Sequence, residues 1–264
     1  MYQTKYHKAS SVSEAASLMG AADDGKLLAG GQTLIPTMKA HLAAPSDLVD
    51  VSAISEMNGI GIVGNRITIG AATTHADVAS DAALQEACAS VADLAAGIGD
   101  PAVRHKGTLG GSIANNDPAA DYPAALLALA ATIKTNVRDI AATDFFVGLF
   151  ETALADGEVI VSVSFDAPAK ACYAKFPNPA SRYAMAGVFA ADTSAGARVA
   201  VTGAGDDGVY RQSDMEAALD GGWSVDAISG VSVSADGMLS DMHGDATYRA
   251  NLVKVMAARA VAGC

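Results

Sequence analysis

Apolar positions change their period several times along the chain, and the changes divide it into three stretches. Ser11-Val-Ser-Glu14 has a capping-box pattern, and the Ala-Ala-Ser-Leu-Met run behind it predicts a helix ending near Gly20. Lys26-Leu-Leu28 and Leu48-Val-Asp-Val-Ser52 read as strands, with helical spacing over Leu34 to Leu42 and Pro36 tolerated in its first turn. Together these make a βαβ-like unit over residues 1–55. Next, Arg66-Ile-Thr-Ile-Gly70 alternates as a strand does, and Thr74-His-Ala-Asp77 repeats the capping signature. An Ala-rich helix is expected from Leu84 to Ala96, a buried one from Tyr122 to Ala131, and an acidic-capped one from Ile140 to Leu154. Glu158 to Phe165 is a strong strand. Beyond a hinge at Pro168-Ala169, strands are expected at Ala184–Ala191, Arg198–Thr202 and Ile228–Ser234, and helices at Ser213–Leu219, begun by a Ser-x-x-Glu cap, and Tyr248–Ala262. That is the pattern of an antiparallel sheet with helices to one side. The expected class is α+β, with lobes over 1–55, 56–168 and 169–264.

Composition sharpens this picture by exclusion. A chain of 264 residues buries a sizeable core, and 17% charged residues in a half-hydrophobic sequence do not match disorder. The formal charge of −12 argues against nucleic acid and against anionic membrane surfaces. Any phosphorylated ligand must then be held mainly by backbone N–H groups and helix ends. Cys88, Cys172 and Cys264 form no CxxC pair, and the five histidines form no HxH or HExxH pair, so no metal ligands are expected on this chain. Cys88, in an Ala-rich stretch, reads as a small core residue. The first eight residues lack the apolar core of a signal peptide, and the run Pro123 to Ile133 is too short to span a bilayer. A cytoplasmic, reduced protein without a transmembrane segment is expected.

Two glycine-rich segments carry the candidate chemistry. Ala29-Gly-Gly-Gln-Thr33 follows Leu27-Leu28, and Thr108-Leu-Gly-Gly-Ser-Ile-Ala-Asn-Asn-Asp-Pro-Ala-Ala-Asp121 precedes the apolar helix. Glycines let backbone N–H groups approach an anion closely, so two such loops suggest backbone closing on one phosphorylated ligand from two sides. Neither is a Walker A or a GxGxxG fingerprint. The pair Gly30-Gly31 also fits an ordinary turn. Asp117 and Asp121 fit helix N-termini, where the macrodipole favours them, and Asp121 also fits an acceptor for ligand hydroxyls. Asn115 and Asn116 fit either phosphate donors or a tight turn. No GxSxG and no Cys–His nucleophile spacing is present, so no catalytic residue is assigned and a cofactor that brings its own redox chemistry is expected.

The two glycine segments resemble those of the FAD-binding medium subunits of the molybdenum hydroxylases, the xanthine dehydrogenase and aerobic carbon monoxide dehydrogenase family. The resemblance extends through Asp144-Phe-Phe-x-Gly148, Tyr173-Ala-Lys-Phe-x-Asn-Pro-Ala-Ser-Arg-Tyr183 and Tyr248-Arg249, essentially the full length. It implies a fold of the vanillyl-alcohol-oxidase type, two α/β lobes holding FAD and a third lobe facing the flavin. The residues implied in cofactor binding are Leu28, Ala29, Gly30, Gly31, Gln32, Thr33, Leu34, Thr108, Gly110, Gly111, Ser112, Asn115, Asp121, Ile160, Lys175 and Tyr183. Both glycine pairs would hold the pyrophosphate through N–H groups, Asp121 would meet ribityl or ribose hydroxyls, and Lys175 and Tyr183 would lie near the isoalloxazine. Tyr183 would shield one flavin face. The molybdopterin cofactor and the 2Fe-2S clusters would sit on a large and a small partner subunit, in a dimer of heterotrimers. Electrons would leave the flavin for a quinone, NAD or oxygen. Gln32-Thr33 stands where carbon monoxide-oxidising relatives often carry His-Ser, and His105-Lys106 where Asn-Arg is commoner. An alternative is a self-sufficient flavin oxidase acting directly on a small substrate, for which His105 is the only histidine near a cofactor loop. A scaffold that has lost flavin is a third, against which the intact glycines argue.

Overall fold

The structure, a computed structural model, describes residues 2–264. Its first unit comprises β1 (Lys5–Lys8), α1 (Val12–Ala21), β2 (Gly25–Leu28), α2 (Leu34–Lys39) and β3 (Asp47–Asp50), whose strands form a parallel sheet in the order β1-β3-β2. Ser11 caps α1 by accepting the Glu14 N–H, but the Glu14 carboxylate returns to the N–H and hydroxyl of Ser10. The capping box thus closes one residue earlier than the sequence pattern suggests. Strand β1 escaped the sequence reading because Lys5-Tyr-His-Lys8 has no apolar face; parallel pairing along β3 creates it.

The second unit holds a five-stranded antiparallel sheet, order β4-β5-β10-β6-β7, built from β4 (Ile60–Val63), β5 (Arg66–Gly70), β6 (Thr132–Thr135), β7 (Asp139–Ala141) and β10 (Ile160–Asp166). Between β5 and β6 lie α3 (His75–Ser80), α4 (Ala82–Ala96), α5 (Pro101–Arg104), α6 (Leu109–Asn115) and α7 (Tyr122–Ala128). Helix α4 breaks at Cys88, which leaves helical geometry (φ −160, ψ 72) while its side chain stays buried. Val12 and Val49 of the first unit share one core with Ile67, Leu94, Tyr122 and Phe165 of the second.

The expected helix over Ile140–Leu154 is not formed. Ile140 pairs with Ile133 in the sheet, and α8 (Ala142–Phe145) is a single turn. A hairpin of β8 (Phe146–Gly148) and β9 (Glu151–Thr152) follows. The Asn116 amide donates to the carbonyls of Gly148 and Glu151, both at 2.8 Å, so contacts distant in sequence override the local helical spacing.

The third unit is an antiparallel sheet, order β11-β12-β13-β14, from β11 (Lys170–Pro177), β12 (Ala184–Thr193), β13 (Gly196–Thr202) and β14 (Tyr210–Arg211). Helices α9 (Ser213–Asp220), α10 (Val225–Ser229) and α11 (Ala246–Gly263) accompany it, and Met215, Leu219, Val253 and Met256 pack with Val188, Val199 and Val201 into a second core. Two expectations fail here. Ile228–Ser234 is not a strand: Ser224 caps α10, Ile228 is buried within it, and Val231 and Val233 pack on the core without a ladder partner. Ser213 does not cap α9 either, because Glu216 turns instead to the Val199 N–H and the Arg211 guanidinium.

Candidate cofactor site

A cavity of about 1160 Å³ opens between the first two units and touches the third. That exceeds the roughly 300–1,000 Å³ common for small-molecule pockets and suits an extended ligand. Every position implied by the sequence resemblance lines it, except Lys175. Part of the wall is the α1–β2 turn, from Met19 to Lys26, with Ala155 to Ile160 beside it; another part is Ile98, Gly99, Asp121 and Ser181 to Tyr183.

The first glycine segment is shaped for anion contact. A Cβ on Gly30 would lie 1.9 Å from the Lys106 carbonyl oxygen, so only glycine lets this strand end press against the residues before Thr108. Gly31 adopts a left-handed φ of +67. Among the described residues, the N–H groups of Gly30, Gly31, Gln32 and Thr33 find no backbone or side-chain acceptor. Four consecutive free donors at a cavity wall form a backbone nest for negative charge.

The second segment differs from the loop expected. Gly110 and Gly111 lie inside α6, whose N-cap Thr108 accepts the Gly111 N–H at 3.1 Å. The Gly110 N–H is committed to the Ala71 carbonyl at 2.8 Å, and the Leu109 N–H to that of Thr73. A Cβ on Gly110 would stand 2.6 Å from the Ala71 side chain. This glycine therefore permits close packing of α6 on the chain after β5, and the expectation that both pairs present free N–H groups is corrected. Gly111 and Ser112 remain at the cavity wall with the Thr108 hydroxyl.

Asp121 is 5% exposed. One carboxylate oxygen accepts both the Tyr173 hydroxyl at 2.5 Å and the Lys175 ammonium at 3.0 Å. Burial pushes the Asp121 carboxyl above the usual range against the opposing pull of Lys175 and Tyr173. Lys175 also donates to the Gly97 carbonyl at 2.9 Å, so it acts behind the cavity wall rather than in it. Tyr173 was missed in the sequence; the signal was its i, i+2 spacing to Lys175, which places both on one face of β11. His75 was missed too. It lines the cavity, is 5% exposed and has an unpartnered Nδ1, and burial with the nearby charge of Arg104 lowers its pKa to about 4. Tyr183 stands half-exposed at the rim, next to Arg182, whose guanidinium donates to the Gly99 carbonyl at 3.0 Å.

The donor set fits FAD. Free N–H groups and the hydroxyls of Thr33, Thr108 and Ser112 suit a pyrophosphate, Leu28, Val51, Ile98 and Val103 suit flat apolar rings, and Lys26 and Arg182 are the only lysine or arginine in the wall among the described residues. Charge neutralisation is thus left to backbone dipoles, as the acidic composition requires. No group of three or more metal-binding side chains occurs among the described residues.

Comparison with known proteins agrees with this fit. A family model described as FAD binding domain in molybdopterin dehydrogenase matches residues 2–168. The carbon monoxide dehydrogenase medium chain of Hydrogenophaga pseudoflava is 32% identical over 273 residues, covering 97% of this chain and 95% of its own. The nicotine 6-hydroxylase medium subunit of Paenarthrobacter nicotinovorans is 30% identical, covering 97% of this chain and 95% of its own. Among solved structures, carbon monoxide dehydrogenase from Hydrogenophaga pseudoflava lacking the Mo-pyranopterin moiety has a TM-score of 0.89 at 33% identity, over 98% of this chain and 96% of that one. The nest at Gly30 to Thr33, a cavity sized for a dinucleotide and near-complete coverage by such relatives converge: this chain belongs to the FAD-binding medium subunits of the molybdenum hydroxylase family, the flavoprotein components of oxidoreductase complexes.

Proposed function

We propose that the chain is the electron-transfer subunit of a heterotrimeric molybdenum hydroxylase and holds FAD in the cavity described above. The observation that carries this reading is the row of four unpartnered N–H groups from Gly30 to Thr33, in one cavity with Thr108, Gly111 and Ser112. Bound FAD supplies redox chemistry linking 2Fe-2S clusters on a small subunit, fed by a molybdopterin centre on a large one, to a quinone, NAD or oxygen. The chain's own residues bind and orient. Gly30 to Thr33 take the pyrophosphate, Asp121 orients sugar or ribityl hydroxyls, and Lys175 fixes Asp121. Tyr183 covers one flavin face and governs access at the rim. The relatives named as medium chains support small and large partners, which we extend to a dimer of heterotrimers. The lobes are assigned to 1–55, 56–168 and 169–264, in the vanillyl-alcohol-oxidase arrangement; the change of sheet between Asp166 and Lys170 supports the second boundary. Among the described residues no helix is long and apolar enough to cross a membrane, and we place the protein in the cytoplasm.

A self-sufficient oxidase is less well supported: His105, the histidine the sequence offers for it, is absent from the cavity wall with its Nδ1 2.7 Å from the Pro101 carbonyl, and His75, which does line the wall, is buried. The test is an absorbance spectrum of the purified chain, alone and coexpressed with its partners, before and after acid precipitation with added FAD. Flavin absorbance released into the supernatant is expected. Flavin left in the pellet supports a covalent oxidase, and no flavin binding in either preparation overturns the assignment.

A further inference from the structure

The third unit touches the cavity in a restricted way. Among the described residues, every hydrogen bond from residues 169–264 to residues 2–168 ends on one of two short segments, Gly97 to Gly99 or Pro118 to Asp121, through which Ile98, Gly99, Ala120 and Asp121 line the cavity. Three successive carbonyls of the second segment are held from β12 and the end of β13. Pro118 accepts the Gly203 N–H at 2.8 Å, Ala119 the Ala184 N–H at 3.4 Å, and Ala120 the Thr202 hydroxyl at 2.6 Å. Thr202 has no solvent exposure, and its hydroxyl also lies 3.1 Å from the Pro118 carbonyl. Gly203, at φ +80, makes the approach possible, since a Cβ there would lie 2.2 Å from the Ala184 carbonyl oxygen. The segment's last residue, Asp121, is gripped by Tyr173 and Lys175 of β11. Lys175 and Arg182 then reach the carbonyls of Gly97 and Gly99. Among the described residues, three strands of one sheet therefore converge on two short segments beside the cavity, and on nothing else in the first two units by hydrogen bond.

We propose that residues 169–264 form a cofactor clamp, with Thr202 as a positioning residue that sets FAD affinity by fixing the Pro118–Asp121 wall. This rests on the reading of the cavity as the FAD site. Without the hydroxyl, the Ala120 carbonyl is buried with no donor, and the backbone carrying Asp121 relaxes toward another partner. The methyl group of Thr202 contributes only packing, so the hydroxyl alone carries the effect.

The experiment is FAD titration of the full chain, with its partners where they are needed for binding, together with hydrogen–deuterium exchange of the FAD-free chain. Thr202→Val should weaken FAD binding about tenfold or more, the scale of one buried unsatisfied carbonyl. Thr202→Ser should stay close to wild type. Glu216→Gln, which weakens the Arg211 pair in the same unit away from the wall, should leave affinity unchanged. Exchange in Thr202→Val should quicken at Ala119 to Asp121 and not across the third sheet. If Thr202→Val does not fold, Arg182→Met carries the test through faster exchange at Gly97 to Asp100 and weaker FAD binding. Wild-type affinity in the variants overturns the clamp and leaves the FAD site standing, and exchange that quickens uniformly across residues 169–264 reduces Thr202 to a stability role. Failure of the wild-type protein to bind FAD overturns the cavity assignment and the clamp with it.

Discussion

At the scale of single residues, Gly30 and Gly110 look alike in the sequence and do different work. Gly30 has a free N–H in a nest and touches Lys106 through space that no side chain could share. Gly110 spends its N–H on Ala71 and exists for helix packing. Both positions were legible as glycines with a purpose, but the purpose depends on which backbone lies opposite, and that is a tertiary fact. The difference is testable. Gly30→Ala places a methyl group on a backbone carbonyl that cannot swing aside, so it should cost on the order of 1–3 kcal/mol of stability by overpacking. It should also abolish measurable FAD binding, because the nest must move. A urea midpoint and an FAD titration on the same preparation check both, and unchanged FAD affinity would remove Gly30 from the site.

At the scale of elements, strands with alternating patterns and helices with capping signatures were legible wherever local and tertiary preferences agreed, as in α1, β5, α3 and β10. They failed where they disagreed, at 140–154 and 228–234, where the chain's apolar spacing fits more than one period. The turn from β6 to β7 shows how such junctions are fixed. Glu158, 2% exposed at its side chain, receives both the Nε and Nη2 of Arg138, the Thr135 hydroxyl and the Ala155 N–H. These partners, the Arg138 hydrogen bonds foremost, lower its pKa from 4.5 to about 2 despite burial. A depressed acid stabilises the fold fully above its unfolded pKa, and that contribution is lost as pH falls from about 4.5 toward about 2. Glu158→Gln should therefore lower the unfolding free energy measured in urea at neutral pH by about 1–3 kcal/mol, the scale of charge-assisted hydrogen bonds. The gap from wild type should close on acidification through that window. A gap independent of pH would show that shape rather than charge holds this junction.

At the scale of the whole molecule, Phe189, Ala191 and Ala200 of the third unit join the core shared by the first two, and the hydrogen bonds across that boundary fall on two short segments beside the cavity. A ligand there bears on the third unit as well as the first two. The sole tryptophan, Trp223, belongs to the third unit and packs against its core, with the Lys170 ammonium 5.9 Å from its ring. Its fluorescence therefore reports that unit's unfolding. FAD at about a hundred times its dissociation constant adds about 2.7 kcal/mol to the state that binds it. Thermal unfolding followed at Trp223 should shift upward with FAD, in step with flavin release. A Trp223 transition indifferent to FAD would mean that the third unit unfolds on its own.

The sequence by itself determined the order of most elements, the family resemblance, and the two glycine segments that line the cavity. Those features rest on local periods, on glycines at backbone-limited positions and on motif spacing, all of which are properties of neighbouring residues. Tertiary structure alone decided which N–H groups stay free, that Tyr173 and Lys175 share the Asp121 carboxylate, and that Thr202 reaches Ala120 from 82 residues away. It also drew 140–154 into a sheet and a hairpin. The physical reason is common to all of these. Whether a donor is spent, a carboxylate is shared or a helix is overridden depends on what the fold brings opposite, and hydrogen bonds between distant segments are decided by that competition rather than by the residues' own preferences.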